Sequence, residues 1–214
     1  MIELDNIIIR IVNLEDISDI IELQKDSFPL MAKDGVIWNK HHLESHIKIF
    51  PEGQLCAALA GKIVASASSL VTSLTSEYQE HTWKQATDYG MFTNHTLEGD
   101  SLYGADISTH PDSRGLGIAS MLYDARKDLA VKLNLRRVIA GGRLFNYCEY
   151  AEKMSAQEYA EKVVSGEIQD LVLSFQLKNG FKFVKILPNY MRDARSLNKA
   201  SFIEWINPKY VPQK

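Results

Sequence analysis

A glycine turn followed by an amphipathic run is the part of this sequence best suited to bind a ligand. Residues 109–122 read THPDSRGLGIASML and follow a run of strand-forming residues, SLYGADIST. The glycines at 115 and 117 let the backbone turn tightly and let a ligand approach the amides. The first N–H groups of a following helix have no partner in the helix, and its dipole adds positive charge there. The turn therefore favours an anion such as a pyrophosphate, with a plain strand-to-helix corner as the alternative.

Three nucleotide-binding motifs compete for this turn. The P-loop requires Gly-Lys-Ser/Thr at its end, and the turn lacks it. The dinucleotide-binding fingerprint requires a third glycine, but residue 120 is serine. The remaining pattern, Arg/Gln-x-x-Gly-x-Gly/Ala, is met by Arg114, Gly117 and Ala119. Because a six-residue pattern is weak by itself, its meaning depends on the elements around it.

The elements around the turn alternate between strands and helices. Runs of β-branched and apolar residues predict strands at 6–12, 53–59, 62–72, 101–109, 136–142, 181–187 and 200–206, the second and third forming a hairpin. Helical spacing predicts helices at 13–28, 40–50, 116–133 and 155–168, and a short one between Asp170 and Gly180. Pro29 lies just beyond the first helix, where a helix normally stops. Within the polar and aromatic stretch 76–100, residues 88–100 are expected to form a long loop. This order predicts a mixed α/β fold with a partly antiparallel sheet.

Length and composition favour one soluble domain that spans residues 1–214. A net charge of -3 and a pI near 6.1 give no reason to expect nucleic acid. The short basic clusters LRRV and DARK are interpreted as solvated faces. Cys56 and Cys148 have no metal-ligand spacing. The acidic N-terminus and the lack of any apolar run of about 20 residues predict a cytoplasmic protein without a membrane partner.

The stretch ISTHPDSRGLGIASMLYDARKDLA resembles the acetyl-CoA-binding motif of the GNAT superfamily of N-acetyltransferases. The run IIIRIVNLEDISDIIELQKDSF looks like the family's first strand and helix, and FQLKNGFKFVKI looks like its last helix and the Lys-x-Gly-Phe junction. The resemblance covers nearly the whole chain and implies a mixed, mostly antiparallel central sheet flanked by helices. More narrowly, FTNHTLEGDSLYGADISTHPDSRG and RRVIAGGR look like the GNAT domain that some bacterial proteins carry fused to a nitrilase-type carbon–nitrogen hydrolase.

The resemblance implies which residues would bind acetyl-CoA as co-substrate. Backbone groups of Ile107 and Thr109 would pair with the pantetheine amides. The turn residues implied to hold the pyrophosphate are Arg114, Gly115, Leu116, Gly117, Ile118 and Ala119, with a hydroxyl from Ser120. Gln176 and Lys178 would lie on the other side of the cofactor. Two alternatives stay open: a surface ion pair between Arg114 and Asp112, and an exposed helix lysine at 178.

The chemistry implied is attack of a neutral amine on the acetyl thioester. An ammonium group has no lone pair, so a base or a chain of waters must remove its proton. The oxyanion needs a donor, which in the family is usually a backbone N–H of the central strand. We choose Asp106 as the catalytic base, ahead of Glu149 and His95. The alternative for Asp106 is a structural carboxylate paired with an arginine such as Arg143.

The proton donor for the leaving thiolate is the weakest match to the family. Many members carry a tyrosine just before Lys-x-Gly-Phe, where this sequence has Gln176. Glutamine cannot donate a proton as an acid, so that role has moved or is absent. Tyr147 is our first choice for a relocated catalytic acid, followed by Tyr150 and Tyr103, and a packing role for Tyr147 is the alternative.

Two functions from different classes follow. The first is an acetyl-CoA-dependent N-acetyltransferase that acts by direct transfer on a small-molecule or peptide amine, without a metal. The second is a non-catalytic acyl-CoA-binding sensor or partner module of a separate hydrolase. The sequence names no acceptor and leaves both a monomer and a homodimer open.

Overall fold

The computed structural model of the protein describes residues 6–73 and 79–212. Within these ranges one sheet contains the strands β1 (Ile7–Ile11), β2 (Gln54–Leu59), β3 (Lys62–Thr72), β4 (Ser101–Thr109), β5 (Arg137–Arg143), β6 (Lys182–Leu187) and β7 (Ala200–Ile206). The helices are α1 (Ile17–Ser27), α2 (Pro29–Lys33), α3 (Lys40–Ile49), α4 (Trp83–Ala86), α5 (Ile118–Lys132), α6 (Ala156–Val164) and α7 (Leu173–Lys178). Residues 1–5 of the acidic N-terminus and residues 76–78 of the polar and aromatic stretch lie outside the described ranges.

The predicted strands and helices are confirmed, including the hairpin between β2 and β3. Ala60 and Gly61 have φ angles of 49° and 80°, which suit the two central residues of a tight hairpin turn. The carboxyl of Asp170 accepts hydrogen bonds from the N–H groups of Val172 and Leu173, so it caps the short helix α7 as expected. Gly180, with a φ of 81°, follows the end of that helix.

Two short helices were not predicted. α1 ends at Ser27, just before Pro29 as expected, and Pro29 then begins the short helix α2. Its fixed φ and missing N–H suit a first helical position, where no partner for the N–H is needed. The loop over residues 88–100 is confirmed, and the polar stretch before it contains one helical turn, α4, because Thr82 and Gln85 cap its N-terminus reciprocally.

The sheet is mixed and mostly antiparallel, which confirms the predicted fold class. Its strand order is β1-β2-β3-β4-β5-β7-β6, and β4 and β5 form the parallel pair at its centre. That pairing extends only from Ser101 and Arg137 to Gly104 and Ala140. Beyond these residues the two strands continue without pairing, so a cleft opens between residues 105–109 of β4 and residues 141–143 of β5.

The helices cover both faces of the sheet. On one face, Ile118 and Leu122 of α5 pack against Ala65 and Ala67 of β3, whose small side chains allow this close approach. On the other face, Ile17 and Ile20 of α1 pack in a cluster that includes Leu43, Leu70 and Tyr103. Each buried Leu or Ile of this kind contributes about 1.5–3 kcal/mol. The helices are thereby fixed against the strands that border the cleft.

The interpretation of DARK and LRRV as solvated faces was wrong for one arginine in each run. Arg126 and Arg137 are only 2% and 0% exposed. Arg126 lies four residues after Leu122, on the stripe of α5 that faces the sheet, and Arg137 begins β5. The Nε of Arg137 donates to the hydroxyl of Ser101 at 2.8 Å. Among the described helices, none is long and apolar enough to cross a membrane.

Candidate functional site

The glycine turn leads directly into the N-terminus of α5. Gly115 and Gly117 have φ angles of 78° and 79°, and no atom lies within 4 Å of the place where a Cβ would stand on either residue. Gly117 is the cap residue before Ile118. The unpaired N–H groups of the first helical turn therefore face open space, a geometry that suits a pyrophosphate.

Arg114 connects the turn to the neighbouring elements by hydrogen bonds. Its Nε donates to the carbonyl of Thr109 at 3.3 Å, and its Nη2 donates to the carbonyl of Ser27 at the end of α1 at 3.1 Å. Asp112 instead lies 3.9 Å from His110. The alternative of an Arg114–Asp112 ion pair is therefore wrong for the described residues, because the guanidinium is used on backbone carbonyls.

The backbone of β4 offers free hydrogen-bonding groups to the cleft. The N–H of His110 donates to the carbonyl of Val64, so alternate residues of β4, including Ser108, bond towards β3. Ile107 and Thr109 consequently direct their N–H and C=O groups away from β3, into the cleft. This orientation is the one required for pairing with an extended ligand such as pantetheine.

Arg126 fills an irregularity of β4 at the inner end of the cleft. The register with β3 shifts between Ser68 and Ser69, which is a β-bulge. The Arg126 guanidinium donates to the Ser69 hydroxyl and the Ser68 carbonyl at 2.9 Å each, and to the carbonyl of Asp106. A Cβ on Gly104 would stand 3.1 Å from its Nη1. Burial lowers the pKa of Arg126, and the group satisfies carbonyls that the bulge removes from the ladder.

Asp106 presents its carboxyl on the opposite face of the sheet, towards α1. Its Oδ2 accepts a hydrogen bond from Nε2 of Gln24 at 2.7 Å, and the buried indole of Trp38 lies nearby. Burial raises the pKa of Asp106 to about 6, against the opposing effect of the Arg126 charge and the Gln24 hydrogen bond. Arg143 pairs instead with Asp193 at 3.0 Å, so the described residues do not show the Asp106–Arg143 ion pair that was the alternative to a catalytic role.

Gln176 occupies the other wall of the cleft. It is buried and lies against Gly142 of β5, so closely that any Cβ at 142 would overlap its amide. Its Oε1 has no hydrogen-bond partner among the described residues. Tyr123 of α5 lies beside this amide, while Lys178 is exposed at the end of α7. The structure thus brings Gln176 to the cleft and leaves Lys178 at the surface.

The other predicted catalytic side chains have partners away from the cleft. Tyr147 is buried in the core beneath α6, and its hydroxyl donates to the carbonyl of Met154 at 3.3 Å. Tyr150 packs on Tyr159 with ring centres 5.2 Å apart. His95 accepts the Val71 N–H through Nδ1 and stacks on Phe50. Glu149 is exposed and lies 3.1 Å from Arg195. The structure does not bring Tyr147 together with Asp106.

Sequence reasoning missed several residues that border the cleft, because none belongs to a local motif. Gln24 and Trp38 lie more than 65 positions before Asp106 in the sequence and reach it only through the fold. The indole of Trp83 donates to the carbonyl of Ala105 at 3.0 Å. Tyr190 lies against Gly141 at the inner end of the cleft. The described residues contain no group of three or more His, Cys, Asp or Glu side chains suited to a metal.

Comparison with known proteins identifies the family to which this geometry belongs. The model of the acetyltransferase (GNAT) family matches residues 17–147. The chain belongs to the GNAT family. The uncharacterized N-acetyltransferase YkwB of Bacillus subtilis (strain 168) is 39% identical over 195 residues, which cover 91% of this chain and 86% of that protein. The resemblance stated from the sequence is thereby confirmed at the level of the family.

A second relative extends beyond the GNAT domain. The probable hydrolase YhcX of the same organism is 46% identical over 208 residues, 97% of this chain but only 40% of that protein. The chain thus spans less than half the length of this relative. Kinship to a domain that is fused to a nitrilase-type hydrolase rests on that name alone and stays a prediction.

Solved structures share the GNAT fold. The loading GNATL domain of CurA from Lyngbya majuscula superposes with a TM-score of 0.81 at 22% identity, covering 94% of this chain and 98% of that one. The protein yncA of Salmonella typhimurium, solved with its cofactor acetyl-CoA, superposes with a TM-score of 0.58 at 14% identity, covering 97% of each chain. As a GNAT acyltransferase, this chain uses acetyl-CoA, and the turn, the cleft and the free amides of β4 fit that group.

Proposed function

We propose that this chain transfers the acetyl group of acetyl-CoA directly to a primary amine of a small-molecule or peptide acceptor. One juxtaposition carries the proposal. The buried carboxyl of Asp106 lies on the stretch of β4 that has left β5, next to the free amides of Ile107 and Thr109. A proton acceptor and the groups for holding an acyl donor therefore share one short segment.

The chain's own groups can hold each part of the donor. The turn amides from Arg114 to Ala119 and the hydroxyl of Ser120 bind the pyrophosphate, and Ile107 and Thr109 pair with the pantetheine arm. The buried Oε1 of Gln176, which lacks a partner among the described residues, accepts a hydrogen bond from a pantetheine N–H. Acetyl-CoA supplies the acyl group in an activated form, as a thioester.

Asp106 removes a proton from the acceptor amine. Its raised pKa, about 6, lies close to neutral pH, where a carboxylate is both ionised and basic enough to accept a proton. The hydrogen bond from Gln24 fixes the orientation of the carboxyl. The acid at Tyr147 stays a prediction that the contact with Met154 does not favour, and Tyr147→Phe tests it by the rate of thiol release.

Calorimetry with acetyl-CoA and a thiol-release assay with a panel of primary amines test the proposal. We expect acetyl-CoA to bind and at least one amine to release free CoA well above the rate without enzyme. Binding without any thiol release would reject catalysis and favour the sensor or partner module. No binding would reject both functions.

The alternative module has its own support. Gln176 stands where many family members have a proton-donating tyrosine, and the relative YhcX is named a probable hydrolase. A separate hydrolase as partner, a homodimer, a cytoplasmic location and a single domain over residues 1–214 stay predictions of the same standing. Size-exclusion chromatography with light scattering tests the oligomeric state.

A further inference from the structure

A line of hydrogen-bonded side chains runs from the inner end of the cleft to a half-buried histidine. The hydroxyls of Tyr190 and Tyr103 lie 2.7 Å apart. The Tyr103 hydroxyl lies 3.2 Å from Nε2 of His81. Both tyrosines are buried, at 2% and 0% exposure, whereas His81 is partly exposed. None of the three has a role in binding the acyl donor as proposed above.

At the cleft, the line of hydrogen-bonded side chains ends beside Gly141 of β5. The N–H of Leu144 donates to the carbonyl of Lys199, so alternate residues of β5 bond towards β7, and Gly141 directs its N–H into the cleft. The Tyr190 phenol lies against Gly141, beside that N–H, on a side where a Cβ would overlap the ring. Gly141 directly follows Ala140, the last residue of β5 that pairs with β4. The Tyr190 oxygen therefore lies at the point where the strands separate.

The histidine end is oriented to accept a proton. Nδ1 of His81 lies 3.0 Å from the carbonyl of Gln79, which can only accept a hydrogen bond, so Nδ1 carries the proton. In the neutral ring the lone pair of Nε2 then faces Tyr103. Burial lowers the pKa of His81, the Gln79 carbonyl opposes this, and Lys185 of β6 lowers it further. Among the described residues, the ring of His81 also lies against the rings of Tyr190 and Phe202.

We propose that Tyr190, Tyr103 and His81 form a proton relay that deprotonates the acceptor ammonium on the α1 side of the sheet. The inference rests on the proposed function, to which it adds the route of the first proton. The ammonium nitrogen gives a proton to Oη of Tyr190 and keeps the electron pair that attacks. Tyr190 passes its own proton to Oη of Tyr103, which passes its proton to Nε2 of His81. The resulting imidazolium releases one proton to solvent, so each tyrosine ends neutral.

The relay and Asp106 remove different protons from the acceptor nitrogen. A primary ammonium loses two protons on the way to a secondary amide, one before attack and one from the nitrogen after the C–N bond forms. The relay carries the first proton to solvent. Asp106 takes the second as the C–S bond breaks and passes it to the leaving thiolate, so the carboxylate is restored and CoA leaves as the thiol. The two routes leave from neighbouring positions, since Tyr103 and Asp106 are on the same strand and Tyr103 reaches the same face as Asp106.

The test compares two classes of acceptor. Tyr190→Phe, Tyr103→Phe and His81→Gln are assayed near neutral pH with the best primary alkylamine of the panel and with its fluorinated counterpart, whose nitrogen is uncharged at that pH. Tyr159→Phe is the control, since it removes a buried tyrosine hydroxyl that bonds to Asp170 and so belongs to a different hydrogen-bonded pair. We expect the three relay variants to lose about tenfold or more in kcat/KM with the alkylamine. With the fluorinated amine the loss should be below about twofold, because no ammonium proton has to leave.

Further measurements distinguish a loss of the relay from a loss of structure or of acetyl-CoA binding. Raising the pH above the pKa of the alkylamine should restore its rate in the relay variants, and acetyl-CoA should bind each variant as it binds the wild type. Equal losses with both amines, or an undiminished alkylamine rate, would overturn the relay while the transferase stands. A wild-type protein that binds acetyl-CoA but releases thiol with no amine would reject the transferase and the relay together.

Discussion

At the scale of single residues, Asp106 combines a catalytic position with a cost in stability. Its carboxyl has a pKa near 6 in the folded chain, above the usual value for aspartate, because burial disfavours the charged form. Below the usual pKa the group is protonated in both folded and unfolded chains and has no effect. As the pH rises towards 6 the unfolded chain ionises first, so folding loses up to about 3 kcal/mol at higher pH.

Asp106→Asn should therefore separate stability from activity. The amide keeps the shape but cannot ionise, so the variant should be more stable than the wild type above pH 6, by up to about 3 kcal/mol. The difference should shrink to a small fraction near pH 4 and vanish by about pH 3, below the usual pKa of aspartate, where the Asp106 carboxyl is protonated in both the folded and the unfolded chain. Urea unfolding from about pH 3 to pH 8 measures this difference. The same variant should lose the rise of kcat/KM through about pH 6 that we expect of the wild type. An unchanged rate at neutral pH would assign the base role to another group.

Gly117→Glu should abolish acetyl-CoA binding while the fold survives. The substitution places a carboxylate at the cap of α5, where the amides would hold a pyrophosphate, and like charges repel. Some stability is also lost, about 1–2 kcal/mol, because the φ of 79° disfavours a side chain. Gly166→Glu is a matched control, since Gly166 is exposed, has a φ of 83° and has open space around its Cβ position. Calorimetry should detect acetyl-CoA binding by the control only, and binding by both variants would refute the assignment of the turn.

At the scale of elements, Arg126 couples helix α5 to the bulge in β4. Its guanidinium bonds to three oxygens of β3 and β4 while its charge lowers the pKa of Asp106 on the far side of the strand. No separate feature of the sequence links these two residues. The bulge is needed because it turns the Asp106 carbonyl towards the arginine, and the buried cation is tolerated because each bond satisfies a carbonyl or hydroxyl.

Arg126→Met should destabilise the protein by about 3–5 kcal/mol, since it leaves buried carbonyls without donors. It should also move the acidic limb of the pH–rate profile to higher pH, because the charge that lowers the Asp106 pKa is gone. Lys132→Met on the same helix removes an equal but exposed charge and should change neither property by much. Chemical denaturation and kcat/KM against pH supply both readings. A stable Arg126→Met variant with an unshifted limb would contradict this account.

The elements themselves were largely predictable, and the contacts between them were not. Periodicity identified β4 and α5, because a half-buried strand and an amphipathic helix leave local patterns. The Gln24–Asp106 and Tyr103–Tyr190 hydrogen bonds join residues 82 and 87 positions apart. Such pairs depend on which strands become neighbours in the sheet, and no short stretch of the sequence shows that order. Arg126 was misinterpreted for the same reason, since a buried and a solvated arginine look alike until the strand bulge opposite is known.

At the scale of the whole molecule, the central sheet has unpaired backbone groups between β4 and β5 that a bound ligand can pair with. Five of its six strand pairings are antiparallel, and the parallel one stops after four residue pairs, within the described ranges. The cleft that follows exposes backbone groups in the middle of an otherwise continuous sheet. Unpaired backbone groups are costly when buried, so a bound chain of amides such as pantetheine would supply what the missing strand pairing does not.

Acetyl-CoA should therefore stabilise the protein globally and protect alternate residues of one strand from hydrogen exchange. At a concentration 100 times its Kd, the ligand adds about 2.7 kcal/mol, which corresponds to a rise in Tm of about 5–10 °C for a chain of this size. In the free protein the amides of Ile107 and Thr109 should exchange quickly, since they face the cleft, whereas that of Ser108 is protected by β3. Binding should slow exchange at 107 and 109 and leave Ser108 nearly unchanged. Uniform protection of all three amides, or none, would show that the ligand does not pair with β4 in the cleft.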